Sequence, residues 1–264
     1  MLRCVSIGVA LLAMNPYQAG IVKWRQQKEA ELRADGGWLT VTGLFWLKEG
    51  DNRVERAPGV FELHQGKTRF RADTGAMTEM GPDASVTAGD LTFSVIERGG
   101  RYGVRLKDKS SKLRAEFRGQ SWFPVRESYR VQARFVPYEK QQSMAVLNIL
   151  GDTVQLPSPG YAVFALEGRE LRLEPVVEDK ELFFIFRDMT AGKETYGSGR
   201  FLYTELPHDG KVELDFNKAE NPPCAFTPYA TCPLPPKQNI LPVRVEAGEL
   251  APAKSAVHSI ADQH

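Results

Sequence analysis

The sequence predicts an all-β protein: a barrel- or sandwich-like antiparallel sheet with one N-terminal α-helix and a proline-rich C-terminal strap. Three features carry that expectation. Beyond residue 37 the chain breaks into short runs of alternating apolar and polar residues, separated by turn formers. Many short strands with frequent turns are the mark of a barrel or sandwich. Only one segment, PYQAGIVKWRQQKEAELRA, repeats its apolar residues at helical spacing. Finally, Pro222, Pro223, Pro228, Pro233, Pro235 and Pro236 crowd one segment near the end. Proline lacks the amide donor, so that segment cannot continue a ladder.

The helix comes first. Asn15 reads as its N-cap and Pro16 as its first residue. Ile21, Trp24, Lys28 and Leu32 fall on one narrow stripe, so Trp24 is expected to pack on the body of the protein. Asp35-Gly36-Gly37 ends the helix, which sets residues 15–37 apart. WLTVTGLFWL (38–47) is one bent strand or two short ones, interrupted by Gly43. VFELH (60–64), TRFRAD (68–73), LTFSVIER (91–98) and RYGVRLKD (101–108) follow. Gly99-Gly100 between the last two signals a hairpin, because glycine tolerates positive φ at both turn positions.

The apolar pattern lapses at 109–121. Residues 38–115 are therefore expected as a smaller β-unit and 116–250 as a larger one. In the larger unit WFPV (122–125), YRVQARFVPY (129–138), MAVLNIL (144–150), YAVFALEG (161–168) and RELRLEPVV (169–177) read as strands. ELFFIFRDMT (181–190) is almost continuously apolar through Phe186, which suits a strand buried on both faces. FLYTEL (201–206) and KVELDFN (211–217) are expected to form a hairpin around Pro207-His208-Asp209-Gly210. LPVRVEAG (241–248) is expected to be the last strand. Residues 251–264 read as a fraying tail.

Composition narrows the function. The chain has 264 residues, 42% of them hydrophobic and 25% charged, enough for one large core or two small ones. A formal net charge of +1, with no basic block, argues against nucleic acid as a partner. LRCVSIGVALLAM (2–14) is shorter than the roughly 20 residues that span a bilayer, so no transmembrane segment is expected. Residues 1–14 read either as a signal peptide or as an extension ahead of a true start at Met14. The second reading places the protein in the cytoplasm, and the first exports it. Three cysteines and four scattered histidines offer no metal-ligand spacing, so no metal is expected.

The densest polar grouping is RDMTAGKETYGSGRFL (187–202), which leaves the most apolar run for a glycine-rich loop. It supplies Asp188, Thr190, Lys193, Tyr196 and Arg200, the groups a binding site at a barrel mouth would need. The competing reading is a hairpin whose Asp188 and Thr190 bond the turn backbone. Asp215 and Asn217, in LDFNKAENPPC (214–224), suit an irregular loop or a ligand. Neither a phosphate-binding loop nor a dinucleotide fingerprint is present, and no cofactor is expected. Cys224 and Cys232 bracket the proline segment. They read as structural residues: a disulfide contributing roughly 2.5 kcal/mol in an oxidising compartment, or buried thiols in a reducing one. No cation is adjacent in sequence to activate either thiol.

Taken as motifs, GRFLYTELPHDGKVELDFNKAENPPCAFTPYATCPLPPKQNILPVRVEAGE, KWRQQKEAELRADGGWLTVTGLFWLKEGDN, ERGGRYGVRLKDKSSKLRAEFRGQSWFPV and LFFIFRDMTAGKETYGSGRFLY resemble the domain of unknown function (DUF) 1684 family. The resemblance runs from about Pro16 to Glu249. Glu220 departs from it, standing where the family pattern has tyrosine. The segment 52–85 looks shorter than in many relatives. The resemblance implies the architecture and carries no activity with it. The function expected is binding of a small polar or anionic molecule at the 187–200 loop. The alternatives are an enzyme in the same pocket, a hydrolase or a flavin-using split barrel with Asp188 or Asp215 as base and Tyr196 as acid, or a structural or interaction protein.

Overall fold

A computed structural model describes residues 15–253. Residues 1–14, with Cys4 and both readings of the N-terminus, lie outside the described residues, as does the tail from residue 254. The chain opens on α1 (Pro16–Arg33). Asn15 caps it: its Oδ1 accepts from the Gln18 amide at 2.8 Å while the Gln18 side chain accepts from the Asn15 amide. That reciprocal box and Pro16 in the first turn fix where the helix begins.

Eight strands follow: β1 (Val41–Trp46), β2 (Gly50–Asn52), β3 (Gly59–His64), β4 (Lys67–Ala72), β5 (Met77–Glu79), β6 (Ser85–Ala88), β7 (Leu91–Arg98) and β8 (Arg101–Asp108). They make two antiparallel sheets, ordered β1-β8-β7-β6 and β2-β3-β4-β5. Phe61, Phe70, Phe93, Val95, Val104 and Leu106 form the core between them. The β7–β8 hairpin turns at Gly99-Gly100, with φ of 58° and 73°, a conformation that suits the right-handed strand twist and favours glycine.

A short helix, α2 (Lys112–Glu116), occupies the segment where the apolar pattern lapses. Then come β9 (Arg130–Leu147), β10 (Thr153–Leu166), β11 (Arg169–Leu173), β12 (Val176–Glu178), β13 (Glu181–Phe186), β14 (Arg200–Thr204) and β15 (Lys211–Asp215). They form the sheets β11-β10-β9-β15 and β12-β13-β14. The architecture is therefore four antiparallel sheets and one long helix, and the sheets do not close into a barrel. β13 is buried on both faces, as its composition requires. Leu182, Phe184 and Phe186 join the main core, while Phe183 and Ile185 face a second cluster with Ala230 and Cys232 of the proline strap.

Three expected strand features are corrected. Residues 122–125 make only a single bridge, Trp122 to Glu249. Residues 201–206 and 211–217 do not pair as a hairpin. β14 pairs with β13, and β15 with β9, because the returning chain takes the free edge of β14 first: Phe201 and Glu220 exchange both backbone hydrogen bonds at 2.9 Å. Residues 241–248 bury Leu241, Val243, Val245 and Ala247 in alternation, yet they are not a strand.

Side chains supply the partners a neighbouring strand would give to Val245 and Ala247. Arg200 donates to the carbonyls of Val245 (3.0 Å) and Ala247, and Asp188 Oδ1 accepts from the Val245 amide (3.3 Å). Arg200 Nη2 meets Asp188 Oδ2 at 2.7 Å with both side chains 1% exposed. Gly199, just before Arg200, has φ +99°, and a Cβ there would fall 2.5 Å from the Phe186 carbonyl oxygen, so the approach needs glycine. Removing one partner of a buried pair strands the other charge, at a cost of about 3–5 kcal/mol. Arg200→Ala is expected to lose that much stability in denaturant titration. A loss below about 1 kcal/mol would show that the pair does not hold the terminal segment.

Candidate functional site

The 187–200 loop is closed on itself. Asp188 Oδ1 accepts from the Thr190 amide (2.7 Å) and hydroxyl (2.6 Å), and the Thr190 and Thr195 hydroxyls meet at 2.8 Å. Arg200 is spent as described above, and burial is the main influence lowering its pKa. Tyr196 turns away from the loop and donates to the Cys224 carbonyl at 3.0 Å, tying the loop to the strap. Lys193 is exposed, apart from the buried network. The structure thus brings Asp188, Thr190 and Arg200 together as a fully bonded internal network, with no group of theirs presented to solvent.

Asp215 and Asn217 meet under α1. Tyr17 donates to Asp215 Oδ1 (2.9 Å), and Asn217 Nδ2 donates to the Tyr17 hydroxyl (2.9 Å) and the Arg126 carbonyl (2.9 Å). Arg25 donates to the carbonyls of Phe123 and Asn217 and stacks over Trp122 at 4.7 Å. Burial pulls its guanidinium down to about 10, so it stays charged at neutral pH. These contacts fix the helix so that Trp24 and Lys28 overhang the gap between β14 and β15.

That gap is a cleft with a volume of about 840 Å³. Its lining includes Trp24 and Lys28 from α1, Tyr203 and Thr204 from β14, Asp215 from β15, and Glu220. Lys28 Nζ lies 3.4 Å from Glu220 Oε2 and 5.6 Å from the Trp24 ring centroid. Burial raises the Glu220 carboxyl above its ordinary range, against the lowering pull of Lys28. Tyr203 stacks on Phe183 with centroids 4.5 Å apart, and burial, then Glu178 and Glu220, push its hydroxyl up. The rim adds Glu181, Glu205, Asp209 and Glu213 against Lys211 and Lys218. Acids thus outnumber lysines in the lining.

Near the half-buried Glu220 lies a fully buried carboxyl, Glu249. Glu249 accepts from the Asn221 amide (2.8 Å) and from Gln120 Nε2 (3.0 Å), and burial pushes it up to about 7. Gln120 Oε1 and Asn221 Oδ1 are buried without donors. Turning the Gln120 amide would place its oxygen where a protonated Glu249 can donate to it.

Among the described residues, Asp51, Glu62 and His64 form a group whose ligand atoms lie within 4.8 Å of one another. Arg71 already pairs with Asp51 (2.6 Å) and Glu62 (2.7 Å) on this exposed surface, which makes it an ion-pair cluster. Cys224 and Cys232 are free thiols, with the Cys224 amide donating to Cys232 Sγ at 3.2 Å. Sequence reasoning missed Tyr203, Glu249 and the opening between β14 and β15. Trp24 and Lys28 stood in the helical stripe. Glu220 carried a signal of its own, its departure from the family's tyrosine.

Fold and site together define an antiparallel β-protein with a helix-roofed polar cleft. The chain belongs to the family described as "Protein of unknown function (DUF1684)", whose model matches residues 115–250. The solution NMR structure of an uncharacterized protein from Haloarcula marismortui is 35% identical over 52% of this chain and 78% of that one, with a TM-score of 0.44. No curated protein matches.

Glu249 sets a pH dependence. Its folded pKa of about 7 lies above the ordinary carboxyl value of 4.5, so its contribution is fully present below pH ~4.5 and is lost as pH rises through ~7. The loss is of the order of 2–4 kcal/mol. Glu249→Gln is expected to gain stability over wild type progressively across that window in denaturant titrations. A difference that stays constant from pH 4.5 to 8 would exclude a neutral buried Glu249.

Proposed function

We propose that this protein binds a small polar ligand, neutral or cationic, in the cleft between α1, β14 and β15. One observation carries this reading: a half-buried carboxyl, Glu220, held by Lys28 in an 840 Å³ cleft that Trp24 and Tyr203 also line. Burying a carboxylate is costly unless it is paired, and an open cleft with a few polar groups beside aromatic faces is the usual form of a ligand site. The 187–200 loop is the weaker candidate, since its Asp188, Thr190 and Arg200 bond one another and the backbone. The excess of acids over lysines around the cleft favours hydroxylated or amine-bearing molecules over anions.

The raised Glu220 carboxyl supports a second reading, an enzyme in which Glu220 moves a proton on the bound molecule. In that reading the roles given earlier to Asp188 and Tyr196 pass to Glu220. Asp188 is committed to its buried pair, and the Tyr196 hydroxyl to the Cys224 carbonyl.

A panel of sugars, polyols, amines and carboxylates, followed by tryptophan fluorescence and thermal shift, tests both readings. Binding is expected among the first three classes. Lys28→Ala and Glu220→Gln are each expected to weaken it by about tenfold, or about 1.4 kcal/mol. Binding that neither substitution touches would remove the cleft as the site. Turnover of a bound compound, lost in Glu220→Gln, would establish the enzyme.

A further inference from the structure

Arg105 is a side chain whose position neither the fold nor the cleft explains. It lies on β8 between Val104 and Leu106, which face the N-terminal core, so strand alternation turns it to the opposite face. There it is only 8% exposed, stacked 4.8 Å over the Trp38 ring, and its Nε and Nη2 are buried without a hydrogen-bond partner. Burial pulls it down to about 10, which leaves it charged at neutral pH. A buried guanidinium without an acceptor is costly unless an anion is at hand. The candidate anion is a cysteine of the strap: Trp38, on which Arg105 stacks, packs against the cluster that holds Cys232.

The two thiols are unlike. Cys224 is half-buried and Cys232 is 5% exposed. Each shapes the other: the neighbouring Cys232 thiol is the largest influence holding Cys224 below its ordinary range, and the same contact pushes Cys232 up. The loop between them is already held, with Phe226 and Ala230 buried and Thr227 Oγ1 donating to the Val41 carbonyl at 2.9 Å. Joining the sulfurs therefore orders little that is not ordered already.

We propose that Cys224 and Cys232 form a thiol–disulfide exchange site for small disulfides, with Cys224 attacking, Cys232 closing the bond and Arg105 supplying the positive charge for the closing step. The Cys224 thiolate attacks one sulfur of RS–SR, forming Cys224–S–SR and releasing RS⁻. That RS⁻ takes the proton of Cys232. The Cys232 thiolate, stabilised by Arg105, attacks Cys224 Sγ and expels the second RS⁻, which takes up the proton Cys224 first gave to solvent. The protein dithiol is oxidised by two electrons and RS–SR is reduced to two RSH.

Full-length protein carrying Cys4→Ser, which leaves this pair as its only thiols, is mixed with glutathione disulfide, quenched by acid at intervals and read by intact mass. The expected course is a transient glutathione adduct followed by a species two hydrogens lighter. Cys232→Ser is expected to stop at the adduct on Cys224, and Cys224→Ser to react far more slowly. Arg105→Gln, or Arg105→Lys with its more compact charge, is expected to leave adduct formation unchanged and slow closure, by about tenfold for the glutamine, the effect of about one unit in thiol pKa. A change confined to closure separates charge from general loosening, which would speed capture of both thiols. Thiols that react only in denaturant, capture at Cys232 first, or closure in Arg105→Gln as fast as in wild type would each overturn the proposal.

Discussion

The buried pair of Arg200 and Asp188 is the constraint on which the main core and the segment covering it depend. Neither side chain is stable there alone, because a charge without water needs a full set of partners. Asp188 finds Arg200, Thr190 and the Val245 amide. Arg200 finds Asp188 and the carbonyls of Val245 and Ala247. The pair thereby takes the place of a strand, fastening residues 241–247 over the core built on Phe184, Phe186, Leu202 and Leu214. Backbone bonds from Arg187 and Met189 to Asn239, Leu241 and Val243 continue the seam. Asn239 completes it, accepting from the Glu174 amide and donating to the carbonyls of Glu174 and Ile185.

The cleft follows from how strand edges are shared out. Glu220 occupies the edge of β14 at Phe201, and β9 occupies that of β15. The space left between the two strands is roofed by α1, whose position the Tyr17–Asp215–Asn217 network and Arg25 determine. The segment that denies β14 and β15 their hairpin therefore also delivers the half-buried carboxyl of the cleft, Glu220. The strap does similar double service. Its Phe226, Ala230 and Cys232 fill apolar space while the Cys224 amide is brought to 3.2 Å from Cys232 Sγ.

Much of the fold was legible in the sequence. β7 and β8 match their alternating runs to the residue, with glycines where the turn needs positive φ. The Asn15-Pro16 cap is local chemistry and is found as read. The failures share a cause. Residues 241–248 have a strand's alternation, but alternation reports only which side chains are buried, not what satisfies the backbone. The hairpin at 201–217 had a sound turn sequence and lost its partner to Glu220, a competitor further along the chain. In the 187–200 loop, clustered polar residues looked like a site because sequence does not reveal that they bond one another.

The sequence by itself determined the class, the helix and its cap, the central strand buried on both faces, the rigidity of the proline strap and the family. These depend on period, propensity and proline or glycine chemistry, which act over a few residues. Only the tertiary structure decided which polar groups face solvent and which face each other. Lys28 meets Glu220 across 192 positions, and Tyr17 meets Asp215 across 198. Contacts of that range are set by how sheets pack and edges pair, and no local pattern encodes them.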